Sequence, residues 1–298
     1  MFASAIRELA TSNNPQWVAA AFFERTIQIW DLKSQEKINE FQTVFCTGAN
    51  NLALAPLGGI LVAGLSRNSG RVAAYKLPSG KKIWEQRLIY PSSLRFHPSG
   101  QSILCIRNER SILRIDAHSG DILEVIDGTS RYIEDASENF LRIPIEKGNI
   151  QIGLPGKGHA FNVDARGLWL LDAKFSPHSV CLSQARGTVR CISYIDGKLL
   201  WEFDPGSSSH VLRLHYSPTQ NAFFGVLRNF EKGGPRHLMR FDAARGLPEL
   251  VCEFDSWEEV FLDTADQLVT SAGEIRDLSN GNVVGRLAFP QREYHPDS

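Results

Sequence analysis

A proline, or a small polar residue in its place, returns about every forty residues along the chain. The positions are Pro15, Pro56, Pro98, Ser137, Pro177, Pro218 and Thr264, separated by 41, 42, 39, 40, 41 and 46 residues. Ser137 and Thr264 are placed partly by the period itself. A second marker keeps the same time: an apolar run, a polar turn and another apolar run lead each time to a tight turn. Those turns fall at Gln35, Gly80, Gly120, Gly158, Gly197, Gly246 and Gly281. Two rulers that share no residue therefore both count seven units. A unit of this size holds four short strands and cannot bury its faces alone, whereas a closed ring of such units can. The expectation is an all-β chain, a seven-bladed β-propeller of four-stranded antiparallel blades.

The clearest unit opens on 94–100, Leu-Arg-Phe-His-Pro-Ser-Gly, and continues with apolar runs at 102–106, 111–116 and 121–126. The runs are short and alternate only loosely, as expected of strands packed between neighbouring blades on both faces. Blade boundaries follow at 3–45, 46–87, 88–128, 129–166, 167–206, 207–255 and 256–289, giving one propeller over 1–289. Residues 139–170 fit least well, because Gly153-Leu-Pro-Gly156-Lys-Gly158 replaces the usual turn, and this is read as an irregular fourth blade. Residues 290–298 read as a short polar tail.

Thirty-two basic against thirty-three acidic residues give a net charge of -1, so there is no global attraction to nucleic acid or to an anionic membrane. The first eight residues lack a basic region followed by an unbroken apolar run, and no segment reaches membrane-spanning length, which points to the cytosol. The five cysteines, Cys46, Cys105, Cys181, Cys191 and Cys252, form neither an even framework nor a CxxC pair. Cys181 and Cys191 lie symmetrically about Arg186 and Gly187 and are expected to face each other across two strands, as buried thiols or as a redox pair.

Trp30-Asp31, closing a third strand, resembles the WD-repeat signature. Ser79-Gly80-Lys81-Lys82-Ile83-Trp84-Glu85 and Asp196-Gly197-Lys198-Leu199-Leu200-Trp201-Glu202 look like the quinoprotein-type propeller repeat. The resemblance covers nearly the whole chain and speaks for architecture. It implies strands radiating from a central channel, with binding on the face that carries the loops between blades. Quinone-dependent enzymes of that family are exported, usually have eight blades, and often hold their cofactor with adjacent cysteines and calcium. This chain shows none of these features, so no cofactor is expected.

The usual catalytic constellations, HExxH, GxSxG, GxGxxG after a strand and a phosphate-binding Walker loop, are absent. Residues 153–158 have the wrong spacing for a phosphate loop and read as a turn. The eight histidines are dispersed, so no three share a face for a metal site. His215, on an innermost strand, reads as a structural histidine, or with Arg213 as part of the channel mouth.

What remains is surface geometry. Tyr90, Trp169, His210, Trp257 and Tyr132 fall in the connections from one blade to the next. The turns between second and third strands, expected on the same face, carry Arg25, Arg67, Arg107, Arg110, Arg186 and Arg228. Tyr and Trp are common interface anchors, and arginine favours carboxylates, phosphates and aromatic rings. The aromatics can equally cap the core, and the arginines can be solvated turn charges, with Glu24, Glu109, Glu231, Glu258 and Glu259 nearby.

The function expected is a non-catalytic, cytoplasmic binding platform, a scaffold or an inhibitor or immunity-type protein. Its partner would be a protein carrying an acidic segment or a hydrophobic anchor, with no membrane partner and nucleic acid disfavoured. The alternative is an enzyme, quinoprotein-like dehydrogenase or hydrolase, with a small-molecule site near His210, Arg213 and His215.

Overall fold

A computed structural model describes the chain except residues 1–2, 5, 13–16, 23–24, 44–46, 66–69, 89–90, 108–109, 136–138, 145–148, 154–159, 165–169, 186–187, 207, 230–233, 256–259, 263–265 and 293–298. After a two-residue strand, β1 (Ala3–Ser4), come seven antiparallel four-stranded sheets, each built in sequence order and arranged as a β-propeller. Blade 1 is β2 (Ile6–Thr11), β3 (Trp17–Phe22), β4 (Thr26–Asp31) and β5 (Lys37–Gln42). Blade 2 is β6 (Thr47–Leu54), β7 (Ile60–Leu65), β8 (Arg71–Lys76) and β9 (Lys81–Arg87). Blade 3 is β10 (Pro91–Phe96), β11 (Ser102–Arg107), β12 (Ser111–Asp116) and β13 (Ile122–Asp127). The irregular stretch forms a full sheet as blade 4: β14 (Thr129–Glu134), β15 (Phe140–Pro144), β16 (Asn149–Gly153) and β17 (Ala160–Asp164). Blade 5 is β18 (Leu170–Phe175), β19 (Ser179–Gln184), β20 (Val189–Ser193) and β21 (Leu199–Phe203). Blade 6 is β22 (Ser209–Ser217), β23 (Ala222–Asn229), β24 (Arg236–Asp242) and β25 (Pro248–Phe254). Blade 7 is β26 (Val260–Leu262), β27 (Gln267–Thr270), β28 (Glu274–Asp277) and β29 (Val283–Arg286). Among the described residues there is no helix, hence none long and apolar enough to cross a membrane.

The fold groups into two compact units: residues 1–132 with 271–273 and 285–298, and residues 133–270 with 274–284. In each, the core lies between blades rather than within one sheet. In the first unit, Val62, Val72 and Ala74 of blade 2 pack with Ile103, Cys105 and Leu113 of blade 3. In the second, Cys181, Cys191 and Trp201 of blade 5 pack with Val211, Phe223 and Phe241 of blade 6. Middle strands are accordingly buried throughout, as in β19, while outer strands such as β5 and β13 are largely exposed.

The turns before the outer strands of blades 3 and 6 share one device. The aspartate ending the third strand accepts backbone N–H groups two and three residues on: Asp116 Oδ1 takes His118 N and Ser119 N, and Asp242 Oδ1 takes Ala244 N and Arg245 N. This Asx turn delivers the chain to a glycine with positive φ, +81° at Gly120 and +67° at Gly246. The preceding blade docks there. Trp84 Nε1 donates to Ala117 O at 2.9 Å, and Trp201 Nε1 donates to Ala243 O at 3.0 Å. Each indole lies over the next turn's glycine so closely that a Cβ on Gly120 would stand 2.7 Å from Trp84 Cδ2. In blade 1, Asn39 occupies the corresponding place and its Nδ2 donates to Pro78 O.

The chain ends meet within the first unit. β1 pairs antiparallel with β30 (Gln291–Arg292), and Phe289 packs edge-on against Trp30 and Phe22 at 5.7 and 6.3 Å. Residues 291–292, read from the sequence as tail, thus form strand.

Candidate functional site: the loop edge of the blades and a buried histidine

Backbone hydrogen bonds establish that two kinds of loop share one edge of a blade. In blade 1, Thr43 N, leaving the outer strand, donates to Arg25 O in the turn between second and third strands at 2.7 Å. In blade 3, Thr129 N donates to Arg110 O at 3.2 Å, and in blade 7 Leu287 N donates to Gly273 O at 2.8 Å. In these three blades the turn between second and third strands and the connection to the next blade therefore form one surface.

Four of the nine residues chosen for partner binding are described, and two of them, Tyr132 and His210, lie inside strands rather than in the connections expected for them. Arg110 is exposed in its turn, and Tyr132 lies half-buried in β14. His210 and Arg228 are direct register partners on β22 and β23, so one member of each anticipated ring stands beside the other. Tyr90, Trp169, Trp257, Arg67 and Arg186 lie outside the described residues. Of the other turn arginines, Arg25 is exposed with φ of 66°, and Arg107 Nε donates to Ser111 Oγ at 3.2 Å.

His215, read from the sequence as a structural histidine or as part of the channel mouth, is buried. It lies toward the other end of β22, two residues before Ser217, and is 4% exposed. Its Nε2 faces Asp266 Oδ1 at 3.8 Å, and neither atom makes a hydrogen bond among the described residues. Asp266 Oδ2 accepts the hydroxyl of Thr219, which is itself 3.1 Å from Ser217 Oγ. Burial first, and the Lys174 ammonium second, push the imidazole down to about 4 against the pull of Asp266. It is neutral at neutral pH. Arg213 sits half-buried in the bulge between Val211 and Leu214.

That bulge is tied to blade 5. Asp172 Oδ2 accepts Leu214 N, and its Oδ1 accepts Ala173 N, each at 2.9 Å. Ser183 Oγ donates to Val211 O. Asp172, Asp266 and Thr219 escaped selection from the sequence. The visible signal for Asp172 is a lone carboxylate inside the apolar run Leu170–Ala173. Asp266 follows Thr264, one of the two weakest markers of the repeat.

Cys181 and Cys191 are direct partners across β19 and β20, both fully buried and both free thiols. Burial pushes the Cys191 thiol up to about 11, although Cys191 Sγ donates to Ser179 Oγ at 3.2 Å. Burial first, then Cys191 and Asp172, push the Cys181 thiol well up too. They behave as small core residues. Among the described residues no three His, Cys, Asp or Glu side chains gather as a metal site.

No family model matches the chain, and no curated protein matches it. Among solved structures 1607 chains match, too wide a company to discriminate a function. One, in "Crystal Structure of Mitotic Checkpoint Complex", superposes with a TM-score of 0.66 at 14% sequence identity, covering 91% of this chain and 88% of that one. At this identity the likeness shows the fold alone.

Proposed function

We propose that this propeller is a non-catalytic binding platform of WD-repeat-like architecture, acting in the cytosol. It holds a protein partner over the edge where interblade connections and second-to-third-strand turns meet. The supporting observation is the hydrogen bonding of those two loop types within single blades, with His210 and Arg228 side by side on one of them. A rigid sheet fixes the loops, and the side chains on them supply specificity. The structural neighbour comes from a multiprotein complex, which agrees with a scaffold role. Arginines on this edge suit a partner with an acidic segment, and the aromatics suit a hydrophobic anchor. The enzymatic alternative gains nothing from His215, since an imidazole with a pKa of about 4 is a weak base at neutral pH.

The test is capture of the tagged protein from a lysate of its own source beside two variants, Trp169→Ala/His210→Ala/Trp257→Ala and Arg110→Glu/Arg228→Glu. A stoichiometric protein retained by the parent and lost from both variants, with melting temperature unchanged, is the expected result. Retention by both variants removes this edge from the interface.

A further inference from the structure

Every blade of a propeller ends in an outer strand whose far side has no strand to pair with, and such edges invite pairing with other chains. The outer strands of this protein are guarded unequally. β5 and β9 open on lysines, β25 opens on Pro248, β21 follows Lys198, and β29 carries Gly285 and ends on Arg286. β13 and β17 have none of these, and of the two β13 is the one that exposes large apolar side chains. Ile122, Leu123 and Val125 are 45%, 56% and 44% exposed, so apolar side chains stand in water on both faces of one six-residue strand.

The charges on its own segment are of one sign. From Ser119 to Gly128 there are three acidic residues, Asp121, Glu124 and Asp127, and no lysine or arginine. Glu124, 52% exposed, pairs with Arg114 Nε at 3.1 Å, and Asp121 Oδ2 accepts Ser119 Oγ at 2.7 Å. Neither carboxylate is buried by these contacts. An acidic edge discourages pairing with a second copy of itself, because like charges would face each other across the new ladder. It favours an incoming strand whose charges are basic.

We propose that β13 is a docking edge for an extended segment of a partner protein in which aliphatic and basic residues alternate, added as a fifth strand to blade 3. Backbone hydrogen bonds along about 20 Å of strand supply the binding, aliphatic side chains cover Leu123 and Val125, and lysines or arginines meet the acidic residues. This surface is the rim of a blade and is independent of the loop edge.

The probe is an eight-residue capped peptide of alternating valine and lysine, N-methylated along one edge so that it cannot stack on itself. The fully N-methylated peptide, with the same charge and no free amide edge, is the control. Binding is read by fluorescence anisotropy and by hydrogen exchange of the intact chain. The expected result is binding only of the half-methylated peptide, with new protection confined to residues 122–127. Leu123→Lys/Val125→Lys should weaken it at least tenfold and acquire affinity for the valine–glutamate peptide. Asp121→Asn/Asp127→Asn, which leaves the apolar residues in place, should weaken it several-fold. Equal binding of the fully methylated control would reduce the contact to charge attraction and overturn the proposal. Protection elsewhere, or a β13-dependent dimer of the chain, would overturn it as well.

Discussion

The docking of Trp201 onto the turn of blade 6 predicts a coupling that can be measured. Trp201 is 7% exposed, stacks on Phe241 at 5.9 Å and 15°, and donates to Ala243 O. Trp201→Ala loses the transfer energy of an indole and leaves a cavity, a cost of about 3–5 kcal/mol. At roughly 2 °C per kcal/mol for a chain of this size, the melting temperature should fall by about 6–10 °C. Trp201→Phe keeps most of the ring, loses the Nε1 donor, and should cost about 1 kcal/mol from the hydrogen bond. Gly246→Ala carries two penalties, about 1 kcal/mol for the left-handed conformation and about 1–3 kcal/mol for a Cβ placed inside the indole. In the Trp201→Ala background the second penalty vanishes. The double variant should therefore be more stable than the sum of the singles by about 1–3 kcal/mol, read by urea unfolding of all four proteins. Additivity within about 0.5 kcal/mol would mean that the two residues do not share that space, and the docking account would fail.

Three further outcomes are expected. His215 has a folded pKa of about 4 against an ordinary 6.5, so between those pH values the unfolded chain binds a proton that the folded chain refuses. Stability is full above pH 6.5 and falls by up to about 3 kcal/mol toward pH 4; His215→Gln should flatten that window in unfolding curves, and an unchanged slope would remove His215 as its cause. Cys181 and Cys191 should resist alkylation at pH 8 in the folded protein and react only on denaturation, as mapped by mass spectrometry; rapid native labelling of either would contradict their burial. Phe289→Ala should cost about 3 kcal/mol, because its ring is the anchor on Trp30 and Phe22 where the chain ends meet; a loss under about 1 kcal/mol would show that closure does not depend on it.

The repeat was legible because the turns that make a blade need particular residues. Gly80, Gly120, Gly197, Gly246 and Gly281 all adopt positive φ, and Gln35 at the same place in blade 1 adopts 61° without being glycine. Trp84 and Trp201 stood out as a motif because each fills the same niche. The site was less legible because alternation breaks on the innermost strands. Register shifts between Ile6 and Glu8, Ser92 and Leu94, Leu170 and Asp172, and Val211 and Leu214 each insert extra residues at a bulge. Counting by twos from His210 therefore loses track of which face His215 occupies, and its partner Asp266 comes from another blade. No local pattern announces a contact made across 51 residues of chain by two side chains that are ordinary in their own segments.

Where the blades repeat one another, the residues are accounted for by docking, and function is better sought where they depart. Four residues beyond Gly80, Gly197 and Gly281 the chain places Trp84, Trp201 and Gly285, four beyond Gln35 it places Asn39, and four beyond Gly246 it places Leu250. Trp84, Trp201 and Asn39 all donate to a backbone carbonyl of the following turn, whereas at Gly285 the turn reaches back, Gln35 Oε1 accepting Arg286 N at 3.0 Å. Blade 3 has Glu124 at this position, which turns instead to Arg114 within its own sheet. Exposed aliphatic residues occur on the docking strands as well, Ile83 on β9 and Leu199 and Leu200 on β21, whereas a strand freed from docking can put a carboxylate where those strands put the indole. The ladder to β12 and the Arg114–Glu124 pair secure β13, so its remaining side chains are open to selection for something outside the blade.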